Sequence, residues 1–183
     1  MPIPTGTHTL GPGHGTLSIM TKRTGAAAKA GHDLTIHVTS WKATLDVVQE
    51  PAWTLVVALS ADAGSLRVRE GKGGMQALGE DDKASIHKSI DDDVLKRQEI
   101  AFRSTEAQPS ADGSRITVHG QLTLAGRTRP TEFDLEIGAD GRLKGHAIVK
   151  QSDWGIKPYS TLFGALKVAD EVELELDATL APS

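Results

Sequence analysis

RITVHGQLTLAGRTRPTEFDLEI, residues 115–137, carries apolar side chains at alternate positions. They are Ile116, Val118, Leu122 and Leu124 and then, after the turn-like AGRTRP, Phe133, Leu135 and Ile137. Successive side chains of a strand point to opposite faces, so this spacing predicts two strands that each bury one face. The pattern continues on both sides. In EVELELDATL, residues 171–180, Val172, Leu174, Leu176, Ala178 and Leu180 share one face, while Glu171, Glu173, Glu175 and Asp177 share the other. Leu143, Gly145, Ala147 and Val149 mark a further inward face, reached through the turn signal Ala139-Asp140-Gly141.

Towards the N-terminus, Leu17 and Ile19, then Leu34, Ile36 and Val38, then Leu45 and Val47, then Leu55, Val57 and Leu59 repeat the alternation, with shorter candidates at SLRVRE and EIAFRST. About nine to ten strands with short polar turns predict an antiparallel barrel or sandwich, and their charged outer faces favour one wrapped sheet. One segment breaks the period. In LGEDDKASIHKSIDDDVLKR the apolar Ile86, Ile90 and Val94 fall four apart, and Glu80, Asp81 and Asp82 load the first turn. Carboxylates there favour the helix dipole, so a surface helix is expected over 80–95. The glycine-rich EGKGGMQALG before it reads as a mobile connector. The expected fold class is all-β with one surface helix, an antiparallel β-barrel over residues 1–183 as a single domain.

Composition narrows the function. The 183 residues carry 20 Lys and Arg against 24 Asp and Glu, a formal net charge of −4, with no basic cluster, so nucleic acid is not an expected partner. Cysteine is absent, which removes disulfides, thiolate metal sites and a thiol nucleophile. MPIPTGTHTLGPGHG has no apolar h-region and no Lys or Arg before Lys22, so it does not read as a secretory signal, and a cytoplasmic location is expected. No apolar run approaches the roughly 18 to 20 residues that span a bilayer. An integral membrane protein is not expected, and a homodimer is left open.

The chemistry-bearing residues are scattered. None of the histidines at 8, 14, 32, 37, 87, 119 and 146 pairs with a neighbouring ligand at helical spacing. Strand parity turns His37, His119 and His146 outward, whereas His32 shares the face of Leu34 and Ile36. GKGG at 71–74 lacks the P-loop spacing and has Met75 where the hydroxyl should stand, and no GxSxG elbow occurs. Asp91-Asp92-Asp93 is a solvated flank of the helix. No catalytic residues, cofactor or metal site are therefore expected.

QSDWGIKPYSTLFGALKV, residues 151–168, holds three of the seven aromatics, Trp154, Tyr159 and Phe163, on backbone that Gly155, Pro158 and Gly164 keep irregular. Two readings stand: the three rings plug a packed barrel, or they border an apolar cavity at its end. The small inward Gly145 and Ala147 favour a cavity.

GQLTLAGRTRPTEFDLEI, residues 120–137, resembles the GxLTLxGxTxP signature of the YceI-like family, and SDWGIKPYSTLFGALKVADEVELEL is similar to that family's closing segment. The resemblance covers nearly the whole chain. It implies a lipocalin-like antiparallel β-barrel that holds a long amphiphile, typically an isoprenoid chain, without catalysis. It also implies frequent export, which this N-terminus does not support. The chain departs from the usual pattern at His14-Gly15, in AGHDLTIHV, and at Lys96, Arg97, Gln98 and Glu99.

The resulting expectation is non-catalytic binding, carriage or storage of an isoprenoid or fatty-acid-like molecule. The expected lining is His32, Leu34, Ile36, Phe102, Phe133, Leu135, Ala147, Trp154, Tyr159 and Phe163, with position 57, Val57, set aside. His32, Tyr159 and Lys157 are candidates for a polar head group. Alternatives are an enzyme or metal-dependent protein using His32 and Asp33 at the barrel mouth, and a filled barrel acting as a stress or interaction protein through its helix.

Overall fold

The fourteen strands of the computed structural model, which describes residues 3–181, are β1 Gly6–Leu10, β2 Gly15–Thr21, β3 Arg23–Thr24, β4 His32–Val38, β5 Trp41–Val48, β6 Thr54–Ala61, β7 Leu66–Gly73, β8 Ile100–Pro109, β9 Arg115–Leu124, β10 Arg127–Ile137, β11 Arg142–Lys150, β12 Ser160–Thr161, β13 Leu166–Val168 and β14 Glu171–Thr179. Helix α1 covers Glu80–Ser89. Eleven strands form one antiparallel sheet in the order β1-β5-β6-β8-β9-β10-β11-β14-β2-β4-β7, and β12, β13 and β3 form a small second sheet. The large sheet curls strongly into a half-barrel, the all-β architecture that the alternation predicts.

The segment 115–137 is a hairpin with Leu124 opposite Arg127. Its turn is only Ala125-Gly126, with φ of 47° and 76°. Positive φ at both positions matches the twist of a two-residue hairpin. Residues 127–130, expected in the turn, instead extend β10. Pro130 is tolerated there because β10 meets β11 only from Asp134 onward, which leaves its first half an edge strand on that side.

Sheet curling brings the two ends of the strand order together. The corner between β4 and β5 is bonded to the corner between β6 and β7: the Thr39 amide donates to the Ser65 carbonyl at 2.9 Å, and the Asp62 amide to the Ser40 carbonyl at 3.0 Å. Among the described residues the outer edges, β1 and β7, do not pair with each other.

Helix α1 packs along β7, with His87 Nδ1 donating to the Leu66 carbonyl at 2.8 Å. The Gly79 amide donates to the Asp82 carboxylate at 2.9 Å, an acid in the first turn as expected. The α-helix ends at Ser89 and a wider π turn, Ile90–Val94, carries the chain on. Ile86, Ile90 and Val94 all pack against the core. The connector before the helix is more ordered than its glycines suggest. Residues 70–73 finish β7, pairing across to His32–Thr35 of β4, and Leu78 packs over Gly71.

Buried apolar residues from the sheet and the segments packed on it form one contiguous cluster, led by Ile3, Leu10, Val47, Ile116, Val118 and Leu143. The parity of the sequence reappears in the burial of β11, where Leu143 and Val149 are buried and Ile148 is 54% exposed. His119 lies outside, 3.3 Å from the Glu132 carboxylate across the β9–β10 pair.

Candidate functional site

The inward faces of the curled sheet do not fill the interior. They enclose a cavity of about 490 Å³, within the range of small-molecule sites. Its wall is almost entirely aliphatic and aromatic. Leu34 and Ile36 reach it from β4, Phe102 from β8, Phe133 and Leu135 from β10, and Ala147 from β11, as alternation along each strand dictates. Phe102 and Phe133 meet edge to face, ring centroids 5.3 Å apart, and present a paired aromatic surface.

Three expectations about the lining need correction. Trp154 is buried but does not face the cavity: its Nε1 donates to the Leu122 carbonyl at 2.8 Å, on the hairpin of β9 and β10. That bond satisfies an indole N–H which an apolar cavity would leave unpaired, as the buried Nε1 atoms of Trp41 and Trp53 are among the described residues. Phe163 is fully exposed, in left-handed backbone with φ of 53°, so its ring points away from the interior. Val57, set aside from the lining, belongs to it, because β6 contributes the same inward parity as its neighbours.

Tyr159 borders the cavity and is about half exposed, which puts it at the opening. Lys157 is exposed and lies outside the wall. Gly145 gives less room than its missing side chain suggests, since the Leu176 Cβ would stand 3.2 Å from a Cβ there.

Polar groups concentrate at the opening. His32 Nε2 donates to the Gln76 carbonyl at 2.7 Å, so the glycine-rich loop after β7 fixes the ring. Asp33 faces away from the cavity, as parity requires. Its carboxylate accepts the Arg23 amide at 2.8 Å and lies 3.9 Å from the Arg23 Nε. The Arg23 side chain donates to the carbonyls of Gly31 at 2.6 Å and Lys72 at 3.4 Å, tying β3, β4 and β7 together at the rim. The buried Gln151 amide, also on the wall, donates to the Ala169 carbonyl at 3.1 Å. Among the described residues, no three His, Asp or Glu side chains converge as metal ligands would.

Sequence reasoning missed Arg23, Gln151 and the inner wall supplied by α1 and the π turn that follows it. Ile86, Ile90 and Val94 line the cavity. Their four-residue spacing was the signal, since an apolar stripe on a helix must cover something. Arg23 and Gln151 had no signal, because each is placed by partners far from it in sequence or in an irregular segment.

A curled antiparallel sheet around an apolar interior, with a helix along one edge, defines the lipocalin-like class of barrels. Within that class the chain belongs to the family of the YceI-like domain, whose model matches residues 9–180. No curated protein matches the chain. Its fold is similar to that of Burkholderia cenocepacia BcnA, at a TM-score of 0.66 and 17% identity over 92% of this chain and 96% of that one. It is also similar to the Campylobacter jejuni YCEI protein, at a TM-score of 0.59 and 15% identity over 81% and 85%. No helix among the described residues is long and apolar enough to cross a membrane.

Proposed function

We propose that this protein binds a long apolar amphiphile, an isoprenoid or similar lipid, inside the half-barrel and carries or stores it without chemical change. The observation that carries this reading is the cavity of about 490 Å³ with a largely apolar wall, bordered by the half-exposed Tyr159 and by His32. That arrangement suits a molecule with an apolar chain and a single polar end. Burying each CH₂ contributes about 0.8 kcal/mol, so a five-carbon unit contributes roughly 3 kcal/mol before ordering costs. A few such units give useful affinity with no polar machinery.

In this reading Leu34, Ile36, Val57, Phe102, Phe133, Leu135 and Ala147 contact the chain of the ligand, and His32 and Tyr159 stand near its polar end. Membership of the YceI-like family supports the choice of ligand class. The test is native mass spectrometry of gently purified protein, followed by solvent extraction. An apolar adduct that is removed by extraction and restored by a long-chain prenyl alcohol is expected. Protein that carries no adduct and takes up neither prenyl alcohols nor fatty acids after extraction would overturn the reading.

A further inference from the structure

We propose that the rim of the cavity is a docking face for an anionic lipid bilayer, with Phe163 and Met75 as its apolar contacts. Phe163 is fully exposed and Met75 is 83% exposed. Exposed large apolar side chains are ordinary when scattered, but these two belong to segments that converge on one opening. The loop carrying Met75 holds His32 through the Gln76 carbonyl. The turn carrying Phe163 leads into β13, where Lys167 pairs with Thr24 of β3 and Leu166 fills the space beside Gly31. Arg23 then joins the two sides through the carbonyls of Gly31 and Lys72.

Charge identifies the occupant. The three segments that build the rim, 22–31, 71–79 and 155–169, contain Lys22, Arg23, Lys29, Lys72, Lys157 and Lys167 and no Asp or Glu, in a chain of net charge −4. Asp33 offsets Arg23, Glu70 lies 3.9 Å from Lys72, Glu80 to Asp82 begin the helix just beyond, and Asp153 and Asp170 flank the third segment, where the Asp170 carboxylate is taken up by the Ser152 amide and hydroxyl. Among the described residues, Lys22, Lys29, Lys157 and Lys167 have no carboxylate within 4.0 Å. A basic surface around protruding apolar side chains matches the two forces that hold a peripheral protein on an anionic membrane, attraction to head groups and shallow insertion. The left-handed φ of Phe163 holds the ring out from the rim in a backbone conformation that few non-glycine residues adopt. Docking of this kind stands apart from what the cavity holds, although it would open the cavity towards the lipid phase.

The experiment is co-sedimentation of the full chain with phosphatidylcholine vesicles, with and without phosphatidylglycerol, at low and raised salt. Binding is expected only with phosphatidylglycerol, and raised salt should weaken it. Phe163→Ser should lower partitioning about tenfold, and the double variant Lys29→Glu, Lys167→Glu should reduce it to the neutral-vesicle background. Unchanged thermal unfolding of these exposed-site variants shows that they fold. Ala147→Trp, which obstructs the cavity, should still sediment, and this separates docking from ligand binding. Wild-type protein that ignores anionic vesicles, or Phe163→Ser that sediments like the wild type, would sink the proposal. So would a lysine-dependent association with an acidic protein in the absence of vesicle binding.

Discussion

The Nε1 of Trp154 donates to the main-chain carbonyl of Leu122 at 2.8 Å, joining two residues 32 positions apart. This bond turns the largest aromatic of the segment 151–168 onto the β9–β10 hairpin and away from the cavity. Trp154→Phe keeps a ring but loses the bond, and should destabilise by about 1 to 3 kcal/mol. Urea unfolding measures this. The same variant should leave the affinity for a prenyl alcohol unchanged, because Trp154 does not line the cavity; weakened binding in a ligand titration would put Trp154 at the ligand after all.

Ala147 faces the cavity between its strand neighbours. If the space is kept for a ligand, Ala147→Trp should be accommodated in the empty protein and should strongly weaken binding of a prenyl alcohol. In a filled core the added ring would instead cost about 1 to 3 kcal/mol. Thermal unfolding together with ligand titration distinguishes the two results.

Gly120 is buried beneath Phe102. A Cβ at this position would stand 2.4 Å from both the Arg103 carbonyl oxygen and the Phe102 ring. The ring can move only by disturbing its edge-to-face contact with Phe133. Gly120→Ala should therefore lower stability by about 1 to 3 kcal/mol and alter the near-ultraviolet circular dichroism of the aromatic pair. An unchanged urea midpoint would show that the hairpin yields without cost.

Burial, with Arg69 nearby adding to it, holds the His37 imidazole below its usual range. The neutral ring is thus favoured in the fold, while the unfolded chain takes up a proton at about pH 6.5. Stability should fall as pH drops through that value, because the unfolded state then binds more protons than the native state. His37→Gln should flatten the dependence between about pH 7 and pH 5. Urea titrations at both ends of the window decide it, and identical slopes for the two proteins would rule out this linkage.

Much of the architecture was legible because alternation is a local property of the strand. Val118 and Leu135 can be assigned to a buried face from their own neighbours, and the tertiary structure buries both. The same holds for Ile86, Ile90 and Val94, whose spacing marks one helical face. Leu34, Ile36, Phe102 and Phe133 follow from strand parity once a curled sheet is assumed. The hairpin boundary was harder, since Thr128-Arg129-Pro130 reads as a turn unless it is known that β10 has no second partner there.

The irregular segment 151–168 could not be read in this way. Without a repeat there is no parity, so each aromatic goes where distant partners or its own backbone put it. Trp154 turns inward to the Leu122 carbonyl, Tyr159 stands at the opening and Phe163 projects into solvent. From the sequence alone come the strands, the helix and the apolar face that each presents. How those faces curl around a space, which strand edges remain free, and which side chains gather at the opening were decided by tertiary structure, because they depend on contacts between residues far apart in the chain.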